Sequence, residues 1–442
     1  MRNRLFLETD NAPLVIFRIF LGFLIACEAF GAILTGWVYD NFIDVKFTFS
    51  HIGMDWLQPL PGIGMYIYFC LMGTLGLLVM LGYKYRWSMA AFTLLWAGVY
   101  FMQKTSYNNH YYLLMLVCLM MTFLPAHRYA SIDARLNPLI KKYTMPAWCS
   151  LVMILQVSIV YFYATWAKFY PDWLDGTFTK NLLADSVTNP ELRDFMTQKW
   201  FYLFIAYAGI AFDLLVIPCL LYRKTRTIAL IASVIFHIFN AITLQIGIFP
   251  FFALSFVVFF YPPDSMRRLF FRKKPQAAKI GSTTFEGKKR LAYFFIPYLI
   301  IQFLLPLRHY LIKGDVLWTE EGHRLSWRMM LRTRTGDTDF KIIDKKTGEK
   351  LFYDFAHNLS HKQRANMETK PDMIWQTAQR IKKHFAENGR EVAVYAKTYA
   401  SINGRPHQQL IDPEADLAAA GWDYFFHCDW ILLYDNEGNI TE

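Results

Sequence analysis

Residues 147–173 read AWCSLVMILQVSIVYFYATWAKFYPDW. The run from 147 to 167 carries no charge, and at roughly 1.5 Å per residue it is long enough to cross a ~30 Å hydrocarbon core. It ends in aromatic residues, the mark of a membrane interface, and among them stands Lys168. Burial disfavours an ammonium, so an amine pressed against aromatic surface is a candidate base. A lysine at a helix end also snorkels its charge to the interface, and the local residues leave both readings open.

Composition extends the membrane reading to most of the chain. Of 442 residues, 55% are hydrophobic, 18% aromatic and 18% charged, too apolar a mix for an ordinary soluble fold. Apolar runs predict nine spans, near 13–36, 65–83, 87–103, 111–125, 147–167, 200–222, 227–246, 248–262 and 291–309. Several are shorter than the ~20 residues a free-standing span needs, so they must lean on aromatic flanks or on protein. The first is read as a retained span and not a cleaved leader, since Arg18 and Glu28 interrupt it and no small-residue cleavage pattern follows. The expected fold is a polytopic α-helical membrane protein of about nine transmembrane helices, residues 1–309, followed by a mixed, β-rich soluble domain, residues 310–442.

Charge placement orients it. The N-terminus and alternate loops hold twenty Lys and Arg, in clusters at Arg2/Arg4, Lys84/Arg86, Arg128–Lys142, Arg223–Arg226, Arg267–Lys274, Lys279 and Lys288–Arg290. The other loops hold six: Lys46, Lys104, Lys168, Lys180, Arg193 and Lys199. This bias puts the N-terminus in the cytoplasm, and Lys168 and the C-terminal domain in the periplasm or a lumen, with a bacterial inner membrane the expected setting. The net charge of +11 is then a topology signal. The run Arg267–Lys274 suits anionic lipid, and nothing calls for nucleic acid.

From Tyr310 onward 18 basic and 20 acidic residues intermix with Gly/Asp turns. Strands are expected at Phe340–Ile343, Lys350–Phe355, Val392–Tyr399, Gln409–Ile411 and Trp430–Tyr434, and a helix at Pro371–Glu387 from the spacing of Ile374, Ala378, Ile381 and Phe385. Five cysteines lie in or beside apolar spans and only Cys428 is in the soluble part, so no disulfide framework is expected. The chain has no CxxC pair, HExxH helix, GxSxG elbow or phosphate-binding Gly loop, and its histidines are dispersed, so no metal is expected.

Polar residues gather on the non-cytoplasmic side. The short connection Lys104–Tyr112 is crowded with hydrogen-bonding groups, which an interfacial turn would also supply. The seventh span carries His237, Asn240 and Gln245, and the sixth carries Asp213, an intramembrane carboxylate that needs a partner or a proton. His237 and Asn240 also read as polar glue between helices.

The blocks KTSYNNHYYL, YFYATWAKFYPDW, AFDL, FHIFNAITLQIGIF, HYLIKGDVLWTEEGHRLSWRMM and SINGRPHQQLIDP occur in this order from residue 104 to residue 413. In that order they resemble the vitamin K-dependent γ-glutamyl carboxylase family, within the wider group of HTTM membrane domains, as a bacterial-type homologue. The resemblance implies a membrane enzyme that oxidises a reduced naphthoquinone, vitamin K or menaquinol, with O₂ to its 2,3-epoxide, removes a glutamate γ-proton, and adds CO₂. It implies that Lys168 is the base toward the quinol, with Asn109 and His110 its hydrogen-bonding neighbours and His237 another polar group of the site. Asn240, Tyr161, Phe162 and Trp166 are expected to flank the quinol, with belt residues the competing reading of the aromatics. Trp318, His323, Trp327, Arg332 and Arg334 are expected to bind a glutamate-containing peptide, because arginine forks match carboxylates; a solvated basic strand is the plain alternative.

The pattern departs from the animal carboxylases at two places: Gly322-His323 replaces a Leu-Tyr pair, and Arg328 replaces an Asp after Ser-Trp. Three functions follow from the residues: a quinol-dependent carboxylase, a quinol epoxidase that does not carboxylate, or a membrane protein that binds or transports without turnover. The last would be expected to show inverted repeats, which are absent from the sequence.

Overall fold

The computed structural model describes residues 4–244, 247–276, 287–435 and 438–441; Arg2, Gln245 and Lys279 lie outside them. Among the described residues, six helices are long and apolar enough to cross a membrane: Ala12–Leu34, Gly64–Leu81, Trp148–Ala167, Lys199–Leu221, Arg226–Thr243 and Lys288–Leu311. The expectation of nine is not reached. Asn109–Phe123 and Phe249–Phe259 are helical but short, and Tyr85–Met102 falls below the same standard of apolarity. Such helices need protein around them, as fifteen residues span only about 22 Å.

Helix packing rests on small residues where backbones meet. A Cβ on Gly22 would lie 2.3 Å from the Met80 nitrogen, and one on Gly76 would lie 2.7 Å from the Ala26 nitrogen, so the first two long helices approach as only glycine permits. Arg18, inside the first span, is fully buried and donates to the carbonyls of Ala126 at 3.1 Å and Ala130 at 2.5 Å. A charge that lipid would reject thus holds a loop by its backbone.

The helix ends form two opposed faces. On one, β1 (Glu8–Asp10) pairs antiparallel with β2 (Thr144–Pro146). Lys274 reaches into the same place to Asp10, to Asn11 Oδ1 at 2.6 Å and to the Tyr143 carbonyl at 3.0 Å. On the other face the C-terminal domain docks. Lys104 bonds Asp372 at 2.5 Å, Gln363 the Phe47 carbonyl at 2.7 Å, and Asn403 the Asp172 carboxylate at 2.7 Å.

That domain is built on an antiparallel sheet of order β4-β3-β5-β6, with β3 Arg334–Asp344, β4 Lys350–Leu351, β5 Val392–Ile402 and β6 Gln408–Gln409. The register runs from Arg334 opposite Ile402 to Asp344 opposite Val392. The helix Pro371–Glu387 lies where its periodicity placed it, burying Ile374, Ala378 and Ile381 against Val394, Ala396 and Ala400 of β5. Each of the two isoleucine burials contributes roughly 1.5–3 kcal/mol. Three expected strands are shorter than read, Gln409–Ile411 among them, which pairs as a strand only through Gln408–Gln409 and then by a single bridge from Ile411 to Ile431. Lys350–Phe355 pairs only at Lys350–Leu351, because the Asp354 carboxylate accepts from the His357 amide and starts a helical turn. The Trp430–Tyr434 run is a strand only at Leu433–Tyr434, which pairs with Ile440–Thr441 outside the main sheet.

Candidate active site

Beneath the docked domain lies a cavity of about 190 Å³ among the helices. Its walls are apolar, with Val157, Val160, Phe236, Phe249 and Phe256, and into it open Lys168, His110, Tyr161, Asp213, His237 and Asn240. Lys168 is the C-cap of the Trp148–Ala167 helix, so the chain turns just as its side chain arrives. Its Nζ pairs with Asp213 Oδ2, both side chains buried, and stands 5.1 Å from the centre of the Trp173 ring. The Trp173 indole donates to the Ala206 carbonyl at 3.1 Å, which ties the turn to the Lys199–Leu221 helix that carries Asp213.

The imidazoles are placed by aromatics. His110, one residue into its helix, stacks on Phe249 with centroids 3.7 Å apart. His237 meets the same ring edge-on, and its Nε2 lies 3.3 Å from the Tyr161 hydroxyl. The His237 Nδ1 is buried with no hydrogen-bond partner among the described residues. Burying such an atom costs about 1–3 kcal/mol unless something fills it. A flat apolar slot with an orphaned ring nitrogen and a few converging polar groups suits an aromatic ring bearing oxygens. No group of three or more His, Cys, Asp or Glu able to hold a metal occurs among the described residues.

Other expected site residues lie elsewhere. Asn109 faces the adjoining segment, donating to the Arg328 carbonyl at 3.2 Å and accepting from the Tyr107 hydroxyl at 3.2 Å. Phe162 and Trp166 are about half exposed and point away from the cavity, Trp166 donating to the Tyr310 hydroxyl at 2.6 Å. Helical geometry is the reason: Tyr161 and its next neighbour project in directions ~100° apart, so only one of them faces the cavity.

The segment 320–330 is folded tightly, with Glu320, Leu325, Trp327 and Met330 all at positive φ, each costing roughly 1–3 kcal/mol. Gly322 is at φ +71°, and a Cβ there would lie 2.9 Å from the His309 Cα, so the leucine of the animal carboxylases does not fit this backbone. Trp327 is fully buried with its ring 4.8 Å from that of Tyr112. Trp318 donates to the Leu432 carbonyl at 2.7 Å. Arg332 and Arg334 both converge on Glu320: Arg332 Nε donates to Oε1 at 2.7 Å and Arg334 Nη1 lies 3.4 Å from it. His323 lies 3.2 Å from Arg332. Burial works to raise the Glu320 carboxyl, but Arg332, His323 and Arg334 together hold it well below its ordinary value. Burial and the adjacent Arg332 push His323 well below its ordinary value. The cations expected to bind a carboxylate are therefore occupied by one of the chain's own.

Residues 6–264 match the HTTM domain family, and residues 287–437 match the vitamin K-dependent gamma-carboxylase lumenal domain. The chain belongs to the vitamin K-dependent gamma-carboxylase family. The two matches meet at the interface just described, with Lys168 contributed by the first and Trp327–Met330 by the second. Membership implies a carboxylase enzyme, a reduced vitamin K cofactor and a membrane setting. No solved structure matches the chain.

In this carboxylase-family chain the sequence reading missed two partnerships. Asp213 was recognised as needing a partner, but Lys168 was not named as that partner; two opposite charges on apolar segments, each intolerable alone, were the available signal. The second is the cluster of Lys104, Arg324 and Asp372, in which Arg324 bonds the carboxylate at 2.6 Å. Burial pushes Lys104 down to about 8. Burial opposes the charge on Asp372 as well, but Arg324 and Lys104 hold its carboxyl far below the usual range. No local pattern joins residues 268 positions apart.

Proposed function

We propose that this protein is a quinol-dependent γ-glutamyl carboxylase in which Lys168 is the base toward the quinol. The observation that carries the reading is the convergence of Lys168, His110, Tyr161, His237 and Asn240 on one apolar cavity under the docked domain. A glutamate γ C–H is too weak an acid for any side chain, so the base must be made from O₂ where water does not quench it. A bound naphthoquinol, vitamin K or menaquinol, supplies that basicity as O₂ converts it to the epoxide, and CO₂ is the carbon donor. The chain's own part is to bind, orient and exclude. Phe249 and Phe236 would offer apolar surface to the ring, and His110 and His237 would offer ring nitrogens to its oxygens. With the proton of the Lys168–Asp213 pair resting on the carboxyl, the neutral Lys168 amine takes a proton from the hydroxyl that reaches its Nζ, and Asp213 holds that amine at the cavity mouth.

Residues 1–309 act in the membrane and residues 310–442 outside the cytoplasm, where the domain presents a peptide to the cavity. A second reading, quinol epoxidation without carboxylation, is favoured by one observation: Glu320 already occupies Arg332 and Arg334. Purified protein in nanodiscs, given reduced vitamin K or menaquinol, ¹⁴CO₂ and a glutamate-rich peptide, tests both. Epoxide with label in the peptide is the expected result. Epoxide without label supports the second reading, and neither product overturns both.

A further inference from the structure

Four guanidiniums lie between residues 324 and 334, and three of them face carboxylates: Arg324 faces Asp372, and Arg332 and Arg334 face Glu320. Arg328 does not. It is buried, and among the described residues it forms no ion pair. Its Nη1 lies 3.4 Å from His309 Nε2, and its Nε is buried with no hydrogen-bond partner. His309 Nδ1 sits 2.7 Å from the Pro306 carbonyl, which fixes the proton there and leaves Nε2 as the acceptor, so His309 brings Arg328 no charge. A buried cation held without a contacting carboxylate is costly, since its nearest counter-charge, Asp315, acts from beyond ion-pair distance, and the structure keeps one where the animal carboxylases have an acid.

Arg328 and His309 open into a groove of about 650 Å³. Tyr170 and Asp315 share that groove, and Asp315 Oδ1 is engaged by the Leu317 amide at 2.9 Å. The groove and the Lys168 cavity are back to back on two walls. Ala167 lines the groove and Lys168 the cavity; Arg328 lines the groove, and Met329 and Met330 line the cavity.

We infer that the Arg328 groove is the subsite for the side-chain carboxylate of the peptide acceptor. The inference rests on the carboxylase reading and relocates its anion site from Arg332 and Arg334 to the one guanidinium of the four that makes no ion pair and keeps a buried Nε without a hydrogen-bond partner. An arginine fork suits a carboxylate and discriminates against the neutral amide of the same shape. The groove's place beside the base cavity favours a reacting carboxylate over a lipid phosphate.

The test is binding without turnover. Protein in nanodiscs of zwitterionic lipid is titrated with a fluorescent glutamate peptide and with its Glu→Gln counterpart, no quinol present. Wild type is expected to prefer the glutamate peptide by about 10-fold or more, and Arg328→Gln to lose the preference while keeping its melting temperature. Arg328→Lys retains the charge without the fork; it is expected to keep part of the preference, and it decides the matter should Arg328→Gln not fold. Equal binding of the two peptides by wild type, or an undiminished preference in either variant, overturns the inference. So does loss of the preference in wild type when anionic phospholipid is added at matched ionic strength, because the groove then belongs to a lipid phosphate. Parallel epoxide and ¹⁴CO₂ assays on the same samples separate the failures. Discrimination without product leaves the carboxylate site standing and removes the carboxylase reading; label in the peptide without discrimination does the reverse.

Discussion

Lys168 Nζ and Asp213 Oδ2 form a buried ion pair between two helices that are 45 residues apart in the chain. Each group solves the other's problem, since an isolated charge at this depth is strongly disfavoured. If the pair acts as a unit on quinol, its members must lose function together. Lys168→Ala should lower epoxidation by about 10²–10⁴-fold. Asp213→Asn should also lower it, and the double variant should be little worse than Lys168→Ala alone. Chromatographic measurement of epoxide checks this; additive losses would mean that the two residues act independently.

The cavity sorts neighbouring aromatics into two groups. Tyr161→Phe and His237→Ala should raise the KM for quinol, because both open into the cavity. Phe162→Ala and Trp166→Phe should change it by less than about 2-fold, as exposed surface changes are usually slight. Steady-state kinetics on the four variants decides whether the walls lie where the cavity lies.

Domain docking depends on Asp372, which faces Lys104 at 2.5 Å and Arg324 at 2.6 Å. Asp372→Ala leaves two buried cations unmatched and should destabilise the docked state by about 3–5 kcal/mol. Limited proteolysis should then cut near residue 310 in the variant under conditions that spare wild type.

Acid should weaken the same interface. Burial and the adjacent Arg324 push His51 down to about 3, whereas an unfolded histidine titrates near 6.5. Between those values the unfolded chain holds more protons, so stability falls as pH drops through the window, by at most about 1.4 kcal/mol per unit. His323, also depressed, adds to the same trend. Melting temperatures from pH 7 to pH 5 should fall in wild type and fall less in His51→Phe, which keeps the ring packed beside Tyr100 and Phe101.

Orientation is tested by a reporter fused after Glu442. An exported phosphatase there should be active and a cytoplasmic fluorescent protein dark, given the charge bias. Bright fluorescence would invert the whole arrangement.

Much of this molecule was legible before folding. The 147–167 run became the helix Trp148–Ala167, and the spacing of Ile374, Ala378 and Ile381 became the helix Pro371–Glu387. Lys168, His110, His237 and Asn240 were singled out from their chemistry or their family resemblance, and one cavity gathers them. Phe162 and Trp166 were read with them because aromatic residues at a membrane boundary look alike whichever way they face. Arg332 and Arg334 were read as free because nothing local marks Glu320 as their partner.

Apolarity is a sum over neighbours in the chain, so helices, their apolar faces and the change of character near residue 310 are decided by sequence alone. Pairing is a property of neighbours in space. Only close packing, as at Gly22 and Gly76, and the docking of Asp372 onto Lys104 decided which charges meet. Those meetings determine which amine stands at the cavity with a carboxylate beside it, and which of the four arginines from 324 to 334 makes no ion pair.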